Sequence, residues 1–272
     1  MQIFDPKESD VQKFQDEGDL KSLLKALKCK NSLIRYKAAE ALGKIGSYSE
    51  VDALIDTTLN DKEDSVREMA IYALAEIGDK KAIIPIISNY QDETDEFKEV
   101  IIFSLGEIGG REAMEFITLT LDEETPYIRL RAVEALGKIA SPNSVDDLIS
   151  ALDDDSMEIK LAAIMALGEI GEAKAIRPLE NMLKSDKWKI RKWALNSLSK
   201  IEECTLERFI EGLEDEDWHV RDKAVEIIGK YGADETVKYI HRVLKDEDED
   251  VRMHAREILN KRIKLGIIGI DA

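Results

Sequence analysis

Eight basic residues recur along this 272-residue chain at intervals of 30 to 32 positions. Each basic residue follows an apolar residue, and the apolar residues after it fall at the same intervals in every copy. One copy reads "IRYKAAEALGKIG" and another "IRLRAVEALGKIA". A period this constant indicates one supersecondary unit that is stacked many times. We number positions within each copy from these anchors, which are Arg35, Arg67, Lys98, Arg129, Lys160, Arg191, Arg221 and Arg252.

Each copy predicts a pair of helices. Apolar residues at positions −1, +3, +4, +7 and +10 form the buried stripe of an amphipathic helix, which we call helix B. A shorter apolar segment before each anchor, such as "VDALIDTTL", predicts a preceding helix A. One such hairpin cannot bury its apolar faces alone, so neighbouring copies must stack. The sequence therefore predicts an all-α fold, a right-handed α-solenoid of about eight two-helix repeats without strands.

The same spacing predicts the organisation of the whole chain. We expect an N-terminal capping helix in residues 1–16, eight repeats in 17–262, and a C-terminal tail in 263–272 that is either a lid over the last layer or a segment that docks on a partner. A stacked array has no natural internal boundary, so one continuous unit is expected. The predicted repeats are 17–46, 47–78, 79–109, 110–140, 141–171, 172–202, 203–232 and 233–262.

Several shared positions have a structural explanation. Side chains at position −4 are predicted to cap helix B at Asn31, Thr94, Thr125, Ser156, Asp217 and Asp248, with Glu63 and Lys187 as exceptions. Glycine at +11 suits a left-handed helix end, and glycine at +8 predicts close approach of the next helix. An early aspartate in each turn is expected to pair with the anchor column as a charge ladder, at Asp61, Asp92, Asp154, Asp215 and Asp246.

Composition excludes several classes of function. The formal net charge of −18 repels phosphate backbones, and no basic stripe is present, so we expect no nucleic-acid partner. No apolar run approaches the roughly 20 residues of a membrane span, and the start of the chain does not read as a secretory signal. Cys29 and Cys204 lack metal-ligand spacing. We therefore expect a cytoplasmic protein, a monomer, without metal or cofactor and without a membrane partner.

The pattern "VRxxAxxALGxIG" after an acidic turn resembles the HEAT-like repeat of the phycobilisome lyase type, and the resemblance covers about residues 19–262. It implies an ARM/HEAT-like superhelix in which the B helices line the concave side, where ligands usually sit. The family includes bilin-attachment lyases, the di-iron enzyme deoxyhypusine hydroxylase and many scaffolds. Fold alone does not decide among these functions.

Two enzymatic alternatives follow from this resemblance. The hydroxylase holds its iron with His-Glu pairs just after the anchor, and the present chain contains no His-Glu pair. Its only histidines are His219, His241 and His254, so hydroxylase activity is rejected. By analogy with the bilin lyases, a lyase-like or chaperone-like role in cofactor attachment or enzyme maturation is the alternative function.

The positions that vary between copies are the candidates for function. Positions +1, +2, +5 and +9 oppose the buried stripe and are expected to face the concave groove. They are charged in the outer copies and largely apolar in the central ones, with a polar rim that includes Glu107, Lys138, Glu169 and Lys200. The predicted partner-binding residues are Met69, Tyr72, Val100, Phe103, Leu130, Arg131, Glu134, Leu161, Met165 and Trp193.

These residues lead to the favoured function. Apolar side chains where the pattern predicts solvent usually mark an interaction site, and methionine and aromatic residues suit a partner helix or extended peptide. We predict a non-catalytic protein–protein interaction scaffold or assembly factor, with Phe103 and Trp193 as the strongest candidates. The alternative is that curvature buries some of these side chains between adjacent B helices, which would make them ordinary core.

Overall fold

The computed structural model describes residues 4, 6–91, 94–123, 125–230 and 236–264. Within these residues the chain contains helices and no strand, so the predicted all-α solenoid is confirmed. Helix α1 precedes eight pairs, in which the even-numbered helices are A helices and the following odd-numbered ones B helices. The bounds are α1 Glu8–Asp16, α2 Leu20–Ala26, α3 Ser32–Ile45, α4 Val51–Asn60, α5 Asp64–Ile77, α6 Ile83–Ile87, α7 Asp95–Ile108, α8 Arg111–Leu119, α9 Pro126–Ile139, α10 Val145–Ser150, α11 Met157–Ile170, α12 Ile176–Met182, α13 Trp188–Leu198, α14 Leu206–Gly212, α15 Trp218–Lys230, α16 Val237–Val243 and α17 Glu249–Lys264.

The chain divides into two compact units, Met1–Ile139 and Ala140–Ala272. In the first unit, α1 packs on α3, and the B helices α3, α5, α7 and α9 pack one on the next. In the second unit, α11, α13, α15 and α17 form the corresponding series. The repeat spacing did not mark this division. Most of the predicted C-terminal tail, together with Asp92 and Gly232, lies outside the described residues.

Most B helices begin and end where the sequence predicts, whereas α13 ends at Leu198, three residues before position +10. The Asn31 side chain accepts from the amide of Leu33 at 3.0 Å, and Ser156 caps α11 in the same way, whereas Glu63 and Lys187 make no side-chain cap. Thr94, Asp217 and Asp248 also accept from helix-start amides. At the other end the backbone turns left-handed at Gly46, Gly78 and Gly171, and also at Ala140, where φ is 50°.

The glycines at +8 confirm the predicted close approach of neighbouring B helices. A Cβ added at Gly168 would lie 2.6 Å from the Cβ of Ser197, and one at Gly43 would lie 2.9 Å from that of Ala73. These distances are shorter than normal van der Waals contact, so only glycine fits without a shift. The sequence did not predict which position supplies the neighbour. In four contacts it is +6 of the next copy, and these are the pairs Gly43–Ala73, Gly106–Ala135, Gly168–Ser197 and Gly229–Ile258.

Buried arginine–aspartate pairs join successive repeats within each unit. Arg35 donates through Nε and Nη2 to the two carboxylate oxygens of Asp61, at 2.6 and 2.8 Å. Its Nη1 donates to the carbonyls of residues 29 and 30, which ties helix B to the end of its own helix A. The predicted charge ladder is thus confirmed at three rungs, Arg35–Asp61, Arg191–Asp215 and Arg221–Asp246.

Candidate functional site

Two aromatic side chains meet on the B helices of the first unit. Tyr72 of α5 and Phe103 of α7 both occupy position +5, and their ring centroids lie 5.8 Å apart with a tilt of 60°. The adjacent residues Ile71 and Ile102 are fully buried, so the amphipathic stripe of each helix directs position +5 outward. Tyr72 is 36% exposed and Phe103 48% exposed. The rings therefore form an accessible apolar surface where most outer copies carry glutamate.

A third ring, which the sequence analysis missed, lies beside this pair. Tyr127, in the first turn of α9, is 39% exposed, and its hydroxyl donates to Glu99 of α7. The Arg131 guanidinium lies 5.0 Å from the centre of the Tyr127 ring. Tyr127 precedes Arg131 by four residues, the spacing that places two side chains on one helix face, and this signal could have found it. We call Tyr72, Phe103 and Tyr127 the aromatic patch.

Ion pairs surround the aromatic patch on the side of α9. Arg131 Nε lies 2.8 Å from Glu99 Oε1, and Arg131 Nη1 lies 2.6 Å from Glu134 Oε2. Lys138 Nζ lies 3.6 Å from Glu107 Oε1. Between α7 and α9 they leave a cleft of about 270 Å³, lined by Glu99, Phe103, Gly106, Glu107, Arg131, Glu134, Ala135 and Lys138. An apolar wall and a charged rim therefore meet in one cleft.

The electrostatic environment of the aromatic patch is negative. Burial is the main cause that raises the pKa of Tyr72, and the nearby charges of Glu99 and Glu68 raise it further. The hydrogen bond to Glu99 raises the pKa of Tyr127. Both phenols are thus held in their neutral form by a site that disfavours additional negative charge.

A second apolar surface lies in the second unit. Met165 of α11 and Trp193 of α13 are each 37% exposed, and Leu161 is half-buried. Lys200 of α13 makes an ion pair with Glu169 of α11 beside them. We call Leu161, Met165 and Trp193 the Trp193 patch.

The remaining predicted residues differ in burial. Met69, Leu130 and Arg131 are half-buried, and Glu134 is exposed. The predicted exposure of Val100 is wrong, because only 7% of this residue is accessible. Position +2 lies beside the buried stripe, and α7 is flanked by both α5 and α9, so a short side chain there is covered. Val100 therefore follows the core alternative.

Other polar and aromatic groups are engaged in structural contacts. In the second unit the His219 ring stacks on Trp188 at 4.1 Å and on Trp218 at 3.7 Å, and its Nδ1 lies 2.9 Å from Asp217 Oδ1. Among the described residues no cluster of three or more His, Cys, Asp or Glu side chains could hold a metal ion. Burial raises the pKa of the Cys204 thiol.

None of the helices in the described ranges is both long and apolar enough to cross a membrane.

Comparison with known proteins adds the family and the fold. The family model described as HEAT repeats matches residues 20–106, 84–160, 114–199 and 206–265. A comparison with curated proteins gave no significant match.

The solved structures that are similar in fold include the following three. An engineered protein has 19% identity and a TM-score of 0.51, with 97% of this chain and 86% of that chain covered. The complex of CpcE and CpcF of phycocyanin lyase from Nostoc sp. PCC7120 has 18% identity and a TM-score of 0.50, with 89% and 94% covered. YibA from Escherichia coli has 20% identity and a TM-score of 0.54, with 88% and 89% covered. At these identities the similarities show the fold alone.

Proposed function

Because the chain belongs to the family of HEAT-repeat proteins, we propose that it is a non-catalytic scaffold that binds a segment of another protein on its B helices. The observation that carries this proposal is the exposed contact between Tyr72 and Phe103. The shared positions already cap, bury and stack each repeat, so the fold does not require aromatic side chains at +5. Exposed apolar surface beyond what the fold requires usually marks an interaction site.

The chemistry of the two patches suits a helix or an extended peptide. Tyrosine, phenylalanine and tryptophan provide large contact areas at a small cost in conformational entropy, and methionine adapts to irregular partners. The ion pairs Arg131–Glu134 and Lys138–Glu107 lie at the edge of the aromatic patch. Such a polar rim supplies orientation and specificity, while the buried centre supplies most of the affinity. The aromatic patch and the Trp193 patch are each proposed as a contact surface.

The lyase-like alternative has the support of a shared fold only, through the CpcE and CpcF complex. It predicts a purified protein that retains a chromophore or a stoichiometric metal. A visible absorption spectrum together with a metal analysis separates the two functions. The scaffold proposal expects a colourless, metal-free preparation, and a bound chromophore would favour the alternative.

The variant Phe103→Asp/Trp193→Asp tests the scaffold proposal. Both side chains are substantially exposed, so we expect the helical circular dichroism spectrum and the melting temperature to remain close to those of the wild type. Cross-linking and affinity purification from the source cell should capture a partner with the wild type and lose it with the variant. Glu257→Ala, at the same +5 position as Phe103, is the matched control and should retain the partner. A large loss of stability in the double variant would support the core alternative instead.

A further inference from the structure

The aromatic patch lies in a surplus of negative charge. Positions +5 and +9 of α5, α7 and α9, together with position +1 of α7, provide four carboxylates, whereas positions +2 and +9 provide two cations. One cation, Arg131, is shared between Glu99 and Glu134, and the other, Lys138, faces Glu107. The surface around Tyr72 and Phe103 therefore stays negative after its own ion pairs have formed. The four carboxylates are Glu76, Glu99, Glu107 and Glu134.

We infer that the segment bound by the aromatic patch carries a lysine or arginine beside an apolar side chain. The apolar side chain covers the rings of Tyr72 and Phe103, and the cation enters the cleft between α7 and α9. This inference rests on the proposed function and specifies the chemistry of the partner. It concerns the first unit alone.

The cleft has the features that hold a cationic side chain. The Phe103 ring forms part of its wall, and a cation near an aromatic face is attracted by the electron-rich ring. The carboxylates of Glu107 and Glu134 are 35% and 47% exposed, so they can accept hydrogen bonds from a guanidinium or ammonium group. Gly106 and Ala135, where α7 and α9 approach each other closely, also line this space of about 270 Å³.

An acidic segment fits the same surface poorly. It would have to displace Glu107 from Lys138 or the two glutamates from Arg131, and the released carboxylates would then repel it. The net charge of −18 also slows the approach of acidic partners and speeds that of basic ones. The negative charges that raise the pKa of Tyr72 are a further sign of this field.

A selection from a random-peptide display library against the full chain tests the inference. We expect enriched peptides to contain lysine or arginine next to leucine, methionine or an aromatic residue. One enriched peptide and its Lys/Arg→Glu counterpart are then titrated against the wild type by fluorescence anisotropy. The counterpart should bind at least about tenfold more weakly, because each repulsive contact replaces an attractive one.

The protein side of the contact is tested with Glu107→Gln/Glu134→Gln, and Glu257→Gln is the matched control. The two charges together should contribute about three- to thirtyfold in affinity, and their loss should flatten the salt dependence of binding. Glu257→Gln should bind like the wild type.

The outcomes separate the inference from the proposed function. Acidic or uncharged peptides that bind the wild type and are lost with Phe103→Asp would overturn the inference and leave the scaffold function standing. Equal binding of the charge-reversed peptide would do the same. A library without any enriched peptide would count against both proposals.

Discussion

The centre of the first unit and the end of the second unit share one architecture and differ at one set of positions. At +5, α5 and α7 carry Tyr72 and Phe103, whereas α15 and α17 carry Glu226 and Glu257. The contacts that build the stack are nevertheless the same in both units, with buried arginine–aspartate pairs and close glycine contacts. The stacking contacts therefore do not depend on the residue at position +5. This residue can vary with function while the stack is retained.

In the repeats that carry glutamate at +5 in α3 and α15, this glutamate forms ion pairs within its own helix. In α15, Glu226 accepts from Lys223 and from Lys230, the latter at 2.6 Å, across positions +2, +5 and +9. In α3 the same positions form the same triad around Glu40. The rings of Tyr72 and Phe103 cannot form such ion pairs, so position +5 presents an apolar surface in α5 and α7.

The buried arginine–aspartate pairs test whether the two units are stabilised in the same way. Asp61→Ala and Asp246→Ala should each lower the free energy of unfolding by about 3 kcal/mol, because each leaves a buried guanidinium without its carboxylate. Urea unfolding measures both. Glu247→Ala is the control, since Glu247 is 83% exposed, lies 3.3 Å from the same Arg221, and should cost under about 0.5 kcal/mol. A large loss in one unit alone would break the equivalence.

The close glycine contacts also test whether the two units are stabilised in the same way. Gly43→Ala and Gly168→Ala should each destabilise by about 1–3 kcal/mol, although alanine favours a helix, because the added Cβ overlaps the neighbouring helix. Thermal unfolding gives the comparison. Glu169→Ala, one residue further along α11 and exposed, should change stability little. An unchanged melting temperature in Gly168→Ala would show that the helices are not held at this distance.

Much of this scaffold could be predicted from the sequence because it depends on fixed spacings within one repeat or between one repeat and the next. The helix pairs, the caps and the arginine–aspartate pairs are of this kind. The neighbour of Gly168 could not be predicted, since it requires the lateral register between two B helices. Exposure at the edge of the stripe, as at Val100, depends on how far adjacent helices cover each other. Phe103 and Trp193 could be singled out because they depart from the repeat pattern. No pattern in the sequence identifies the partner that they would bind.

The polar triad of α15 predicts a pH dependence. Burial acts to raise the pKa of Glu226, but hydrogen bonds from Lys223 and Lys230 outweigh it and lower the pKa to about 2. A depressed carboxyl pKa stabilises the fold above the unfolded-state pKa, and this stability is lost as the pH falls through the folded-state value. We expect Glu226→Gln to remove about 1 kcal/mol of the stability lost between about pH 5 and pH 2. The free energy of unfolding is measured across this pH range for Glu226→Gln and for the control Glu257→Gln. The same pH dependence in both variants would contradict the prediction.

Ala140 lies at a helix end whose backbone is left-handed. Its φ of 50° lies where other copies have glycine, and an alanine there costs roughly 1 kcal/mol relative to glycine. Ala140→Gly should therefore raise the free energy of unfolding by about 0.5–1 kcal/mol, and Gly171→Ala, at φ 74°, should lower it by a similar amount. Opposite signs in the two variants confirm the prediction, and a loss in Ala140→Gly would refute it.

Peptide binding compares position +5 directly between the two regions. The dissociation constant of a library-selected peptide is determined for the wild type, Phe103→Glu and Glu257→Ala, together with their melting temperatures. Because an anchor residue at an interface commonly contributes 2 kcal/mol or more, we expect Phe103→Glu to weaken binding by at least about thirtyfold at an unchanged melting temperature. Glu257→Ala should bind like the wild type. Equal affinities of Phe103→Glu and the wild type, or a Phe103→Glu variant that unfolds, would contradict the account.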